Sequence, residues 1–478
     1  MSARLLQVFD IESRWLLDGE KRLDASFYVE DVIACKILIG KLEESRIAIE
    51  TIDTMSKDIF HRSRFKRNYV GIGEGLPFLT PTDLLMFPLK PRKSVVNPPE
   101  GLQVSPEWIL ITCSGTIGRT IIANKFISQC ILSHDVIRIV PKNRNLLGYL
   151  YAYLNTWMGQ ALLTKDRYGA TVKHIEPHHV ATIPIPRIPE LEKKINQKIL
   201  ESHRLREEAQ ELLLKAEGML HSELGLPEID EDDVEYFGGE KGRIIKNFEI
   251  KASELNLRLD ASYHIPILKQ VKKNLTQHKA EGRYKLPELR NVAEIFDLPT
   301  YKRFYVNSDE GLPILSGVHL RQTKLWDLKY ISGLSFYKAG KSFIDKYRIK
   351  KGWILTTERG TTGLSSIVTE YWDRWLASHN ILRVVPTNIN LGYLSAYLNT
   401  DYAKLQLKSK ELGAVVEVLD PIDMQDIIVP VPEKDIQDSI GSIVIEAYNK
   451  RDKANQIEDE AIKLLERKLK EIAEGKHD

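Results

Sequence analysis

A chain of 478 residues is longer than one ordinary hydrophobic core organises and suits two to four domains. Its 43% hydrophobic and 28% charged content is that of a globular protein, and a net charge of +2 excludes an overall basic field that would steer it onto nucleic acid, so such contacts must come from local patches. Three scattered cysteines (Cys35, Cys113, Cys130) exclude a disulfide scaffold and a zinc ribbon and fit a reducing cytoplasm. Without a signal pattern at the start or an apolar run of about 18 residues, no membrane segment is predicted.

In chain order, the first landmark is Arg22-Leu23-Asp24-Ala25-Ser26. A basic-aromatic run follows, His61-Arg62-Ser63-Arg64-Phe65-Lys66-Arg67-Asn68-Tyr69. Gly71, Gly73 and Gly75 have the wrong spacing for a dinucleotide loop and lead into Pro77 rather than a helix. Asn97-Pro98-Pro99-Glu100 lacks the aromatic that ends an amino-methyltransferase motif, and no glycine-rich cofactor loop precedes it, so it reads as a proline-rich loop. Residues 108–112 and 136–140 read as strands, joined through a glycine-rich turn, Cys113-Ser114-Gly115-Thr116-Ile117-Gly118-Arg119. Residues 148–156 read as a short helix. His174, His178 and His179 lack the carboxylate or cysteine partners of a metal site. Pro184 and Pro186 bar a helix or a central strand.

The pattern then changes period. Apolar residues fall at Leu191, Ile195, Ile199, Leu205, Ala209, Leu212, Ala216 and Met219, and near the end of the chain at Ile436, Ile440, Ile443, Ala447, Ala454, Ile457, Ala461, Leu464 and Ile472. Spacings of three and four put one stripe on each of two helices, each roughly 45–55 Å long at about 1.5 Å per residue. A long helix with a narrow stripe seeks another helix. The two are therefore predicted to pack together, antiparallel and coiled-coil-like. Ile195, Ile199, Leu205, Leu212, Ile440, Ile443, Ile457 and Leu464 would serve that packing or a partner's docking. The alternative is that each lies on its own domain as a surface helix. Between them, Gly218, Gly225-Leu226-Pro227 and the acidic run Glu228 to Asp233 mark a linker whose carboxylates would repel phosphate.

The second half repeats the first. Arg258-Leu259-Asp260-Ala261-Ser262, Lys302-Arg303, Tyr305-Val306 and Gly311-Leu312-Pro313 return at an offset of 236. Trp353-Ile354-Leu355 and Ser378-His379 with Arg383 and Pro386 match Trp108-Ile109-Leu110 and Ser133-His134 with Arg138 and Pro141 at 245. Gly392-Tyr393-Leu394, Ala396-Tyr397-Leu398-Asn399-Thr400 and Gly413-Ala414 match Gly148-Tyr149-Leu150, Ala152-Tyr153-Leu154-Asn155-Thr156 and Gly169-Ala170 at 244. Val429-Pro430-Val431-Pro432 echoes Ile183-Pro184-Ile185-Pro186. Gly340-Lys341-Ser342 ends like a phosphate loop, but Ser335 stands where the first glycine is required. The predicted architecture is α+β: β-rich bodies at 1–189 and 251–433, long helices at 190–222 and 434–478, and a linker at 223–250.

No catalytic constellation emerges, but two elements recur that suit nucleic acid. Arg64, Lys66, Arg67 and Tyr69 in the first copy, and Lys302, Arg303 and Tyr305 in the second, combine phosphate-neutralising charge with a ring that packs on sugars. Ser114, Thr116 and Arg119, and in the second copy Arg359, Thr361 and Thr362, sit on the glycine-rich turn, where they could reach base edges or phosphates. The plainer readings are a solvated charged face and a hairpin turn that needs glycine for positive φ.

The ordered landmarks, from Arg-Leu-Asp-Ala-Ser through Gly-Leu-Pro, Trp-Ile-Leu, Gly-Thr-x-Gly and Gly-Tyr-Leu to Pro-x-Pro and a helix, resemble the specificity (S) subunit of type I restriction–modification systems over nearly the whole chain. Glu433 and Gln437 match that family's helix start, whereas Glu190-Leu191-Glu192-Lys193 departs from it. The resemblance implies two target recognition domains, each reading half of a split double-stranded DNA sequence, with the helices as the ruler between them. It implies no cofactor or catalysis in this chain. Two methyltransferase (M) subunits would carry S-adenosylmethionine, and motor-endonuclease (R) subunits could join. The alternatives are a specificity subunit of another modification system, a helical scaffold that never touches DNA, and a methyltransferase or nuclease in its own right.

Overall fold

A computed structural model describes Ser13 and residues 29–167, 173–229, 248–255, 258–336, 341–412 and 417–476. The Arg22 to Ser26 landmark, both Gly-Ala pairs, Gly340 and most of the acidic linker lie outside these residues. The chain divides into two compact units: Met1–Leu84, Pro91–Arg204 and Ala454–Asp478 form the first, and Leu85–Lys90 and Leu205–Lys453 the second.

The first unit contains β1 (Ala48–Thr51), β2 (Ser56–Phe60), β3 (Tyr69–Val70), β4 (Leu76–Leu79), β5 (Lys93–Val95), β6 (Ile109–Thr112), β7 (Thr120–Ile122), β8 (Ile131–Leu132), β9 (Val136–Pro141) and β10 (Pro184–Arg187). One sheet has the order β2-β9-β6-β7 and another β3-β5-β4-β8. The strands expected at 108–112 and 136–140 are β6 and β9, at the centre of the first sheet. All four residues of β6 are buried, as a strand covered on both faces requires. The Pro-x-Pro segment is β10, which among the described residues pairs only with β1. A two-stranded pair leaves each strand one free edge, where a residue without an N–H is tolerated.

The second unit contains β11 (Ala293–Phe296), β12 (Tyr305–Val306), β13 (Leu312–Leu315), β14 (Lys329–Ile331), β15 (Ile354–Thr357), β16 (Ser365–Ile367), β17 (Leu376–Ala377) and β18 (Ile381–Pro386). Its sheets run β11-β18-β15-β16 and β12-β14-β13-β17, matching the two four-stranded sheets of the first unit strand for strand. The match extends to register: Tyr69 lies opposite Val95, and Tyr305 opposite Ile331.

The Gly-Tyr-Leu…Asn-Thr landmark lies in one short helix, with its Asn at the C-cap and its Thr at the N-cap of a second helix that follows. Arg144–Leu154 is followed by Trp157–Lys165, and Leu391–Leu398 by Asp401–Lys410. Thr156 and Thr400 cap the second helix of each pair, their hydroxyls accepting from the Gly159 and Ala403 amides at 3.0 and 3.3 Å. The glycines permit close approach to a long helix: a Cβ on Gly148 would meet the Asn196 backbone, and one on Gly392 the Gly441 backbone. The tyrosines tie the helix to the Pro-x-Pro segment. Tyr149 donates to the Pro186 carbonyl at 2.5 Å and Tyr393 to that of Pro430 at 2.6 Å. These bonds place Pro186, not Pro184, opposite Pro430, so the two Pro-x-Pro pairs lie two residues out of the register their likeness suggests.

The long helices are Pro189–Leu224 and Lys434–Ala473. In the first unit they run antiparallel: Ser202 donates to the Ala454 carbonyl at 2.9 Å and Lys198 to Glu460 at 2.8 Å. Ile195 and Ile199 share a core there with Ala461, Leu465, Leu469 and the sheet residues Ile109, Ile111, Ile137 and Ile139, and Leu464 packs against it half-buried. In the second unit Ala209, Ala216 and Leu220 share a core with Ile440, Val444, Ala447 and Tyr448, against which Leu212 and Ile443 pack. Lys450 donates to Glu208 at 2.9 Å. Leu205 and Ile457 are buried. Each helix thus packs on the other and on a β-rich body at once.

The stripe is not wholly apolar. Between Ala447 and Ala454 the buried residues include Arg451, whose guanidinium lies 4.6 Å from the Trp372 ring, 4.8 Å from Tyr448 and 5.3 Å from Phe87. Arg451 donates to Asp452 at 2.8 Å, and Asp452 also accepts from Thr369. In the first unit the buried Glu458 accepts from Tyr151 at 3.0 Å.

Candidate nucleic-acid interface

The basic-aromatic run enters the edge strand of the smaller sheet, β3 in the first unit and β12 in the second. Its residues separate into two kinds. Arg64, Lys66, Tyr69, Lys302 and Tyr305 are exposed. Arg67 and Arg303 are half-buried and point into the protein. Arg67 Nη2 donates to Ser133 Oγ at 3.2 Å and meets His134 Nδ1 at 3.0 Å; Arg303 Nη2 donates to Ser378 Oγ at 3.1 Å and meets His379 Nδ1. Burial holds both imidazoles below the ordinary histidine range, which suits a neutral ring accepting from arginine.

The Ser-His step also joins this strand to the glycine-rich turn. The amide of Cys113, at the base of the first turn, donates to the Asp135 carbonyl at 3.1 Å, and that of Glu358 to the Asn380 carbonyl at 3.1 Å. Arg67 and Arg64 act electrostatically on His134, and Arg303 and Arg359 on His379. The two predicted contact elements therefore meet within each unit. Beneath them lie Arg138 and Arg383, fully buried and pushed down to about 10 by desolvation; they donate to the Val136 and Ala377 carbonyls, each at 2.8 Å.

The turns are hairpins, connecting β6 to β7 and β15 to β16. Gly115, Gly118, Gly360 and Gly363 all have positive φ. Thr112 and Thr357 donate to the Thr116 and Thr361 carbonyls and accept from the Arg119 and Leu364 amides at 3.1 and 2.9 Å. Thr116, Arg359 and Thr361 are exposed at the tips; Ser114, Arg119 and Thr362 are half-buried. Arg359 pairs with Glu358 at 3.2 Å and Thr362 donates to Glu411.

One repeated pair was missed in the sequence. Lys93 on β5 lies over the Tyr69 ring at 4.7 Å, and Lys329 on β14 over Tyr305 at 5.1 Å. Both lysines are exposed and obey the offset of 236, the signal that could have found them. Among the described residues no cluster of histidine, cysteine, aspartate or glutamate could hold a metal, and the three cysteines are free and buried. His179 instead accepts from the Glu176 amide at 3.0 Å. No described helix is long and apolar enough to cross a membrane.

A search of curated proteins returned no match. Among solved structures, the chain is similar to the type I restriction-modification S subunit from M. genitalium at 13% identity, covering 89% of this chain and 95% of that one with a TM-score of 0.36. It is similar to the HsdS subunit from Thermoanaerobacter tengcongensis at 13% identity, covering 90% and 97% with a TM-score of 0.26. The family described as the type I restriction modification DNA specificity domain matches residues 66–210 and again 283–463, once in each repeat and over more than half of the sequence. The chain therefore belongs to the type I restriction–modification specificity family, as a non-catalytic specificity subunit with two target recognition domains and packed long helices.

Proposed function

We propose that each unit reads one half of a bipartite double-stranded DNA target, and that the long helices set the spacer and dock two methyltransferase (M) subunits. Those subunits supply S-adenosylmethionine, and motor-endonuclease (R) subunits join the same assembly, in the cytoplasm. The observation that carries this reading is the twin frame. In both units a basic-aromatic edge strand is anchored by arginine on a Ser-His step and presents an exposed lysine and tyrosine beside a glycine hairpin. Shared charges of this kind hold phosphates and fix the register of the protein on DNA, while sequence is read by side chains that differ.

The test is to express the chain with its neighbouring methyltransferase and sequence the methylated DNA. One motif of two specified halves and a fixed spacer supports the reading; methylation without sequence preference, or none, overturns it. The ruler has its own test. Seven residues inserted in register into each long helix lengthen it by about 10 Å, or about three base pairs at roughly 3.4 Å each. The spacer should grow by up to about three base pairs with both half-sites kept.

A further inference from the structure

The twin frame singles out one position in each unit where the surroundings are the same and the side chain is not. Asn68 and Phe304 are equivalent at the offset of 236, and both are exposed. Their main chains are held alike: the Val96 amide donates to the Asn68 carbonyl at 3.1 Å, and the Ser332 amide to the Phe304 carbonyl at 2.9 Å. The residue before each is the arginine anchored on Ser133-His134 or Ser378-His379. The residue after each is the tyrosine under Lys93 or Lys329. Lys66 and Lys302 stand two residues before, and Lys302 lies 4.9 Å from the Phe304 ring.

From this juxtaposition, and resting on the proposed DNA-reading function, we infer that Asn68 and Phe304 are specificity-determining residues, each contacting a base edge in its own half-site. The identical lysines and tyrosines on either side grip phosphate and sugar, which carry no sequence information but fix the register. A side chain fixed between them reaches the same depth of the groove in both units, so its chemistry decides which base is accepted. The Asn68 carboxamide offers one donor and one acceptor side by side, the pattern that pairs with N6 and N7 of adenine. Phe304 offers no hydrogen bond and a flat apolar ring, which suits the methyl group of thymine.

The experiment uses the full chain co-expressed with its methyltransferase, with the methylated motif read by sequencing for the wild type, Asn68→Ala, Phe304→Ala and the exchange Asn68→Phe with Phe304→Asn. Thermal unfolding of each purified complex verifies that these surface changes leave the fold intact. Asn68→Ala should relax one A·T position in one half-site only, reducing discrimination there by roughly 5- to 100-fold. Phe304→Ala should relax one position in the other half-site. The exchange should alter one position in each half and leave the spacer unchanged. A Lys66→Ala, Lys302→Ala reference should lower methylation at all sites without changing the motif. An unchanged motif in the folded variants, or a uniform loss at all sites like that of the lysine reference, overturns the inference and leaves the bipartite motif of the wild type standing. A wild-type complex with no motif overturns the underlying function as well, and shows in its own arm.

Discussion

The two glycine hairpins share a backbone and differ in charge. Cys113 and Glu358 occupy the same place at the base of the turn, buried in both, with amides that donate to residues 135 and 380 and carbonyls that accept from Ile175 and Leu419 at 3.0 and 2.8 Å. Burial pushes the Cys113 thiol up to about 12, so it stays neutral, while burial raises the Glu358 carboxyl above the ordinary range despite its pairing with Arg359. The next layer reverses the balance. Asp135 lies 3.8 Å from Arg67 in the first unit, and its counterpart Asn380 carries no charge. A main-chain frame can thus be held constant while the electrostatics around it are rewritten, which is what the proposed reading of two different half-sites needs.

That comparison can be pressed hardest where each unit buries a charge on the second long helix. Arg451→Ala removes a guanidinium packed against three rings and leaves Asp452 buried without it; the second unit should lose about 3–5 kcal/mol. Glu458→Gln, which keeps a hydrogen-bond acceptor for Tyr151, should cost the first unit about 1–2 kcal/mol. Urea unfolding of both variants checks the order, and a reversal would mean that the ring cage around Arg451 contributes nothing.

Next in size are the close approaches of the short helices. Gly392→Ala and Gly148→Ala each drive a methyl group into backbone of a long helix, with an expected loss of about 1–3 kcal/mol apiece. Thermal unfolding that changes in one variant but not the other would show that the twin contacts are unequal. Smaller again are the caps: Thr156→Ala and Thr400→Ala should each cost about 1 kcal/mol, measured in the same way.

The subtlest difference is in pH dependence. The folded state holds Glu358 protonated above its ordinary 4.5, so its contribution to stability is full below that value and is lost as pH rises through the raised one. Cys113 behaves likewise, but in a window from 9.0 to about 12. Within the lower window only the second unit should respond through this position. Glu358→Gln should flatten the dependence of its urea midpoint on pH above 4.5, and an identical slope in the variant would show that Glu358 ionises normally.

Much of this fold is legible locally. The glycine spacing marks the hairpins because a residue free to take positive φ closes them. The long stripes announce helices that need partners. What stays hidden depends on residues far apart. Arg67 reads as a surface cation until Ser133 and His134, 66 and 67 positions later, fold against it. Arg451 and Glu458 fall on the apolar stripe itself, four residues after Ala447 and Ala454, yet their charged side chains read as surface until the rings and Tyr151 fold against them. The passage of Leu85–Lys90 into the second unit, where Leu89 exchanges hydrogen bonds with Gln210 at 2.7 and 3.0 Å, has no local signature at all.

The placement of Ala461, Leu465 and Leu469 in the core of the first unit has a consequence for synthesis. Domains are usually completed in the order they leave the ribosome. Here every residue of the second unit has been made by Lys453, while the first unit, which began earlier, still lacks one wall of its core until the last helix segment emerges. Its early-made strands must wait, with apolar surface uncovered, for residues 454–473 to be translated. A chaperone that binds exposed apolar strands would find its substrate in the older half of the nascent chain rather than the newer one.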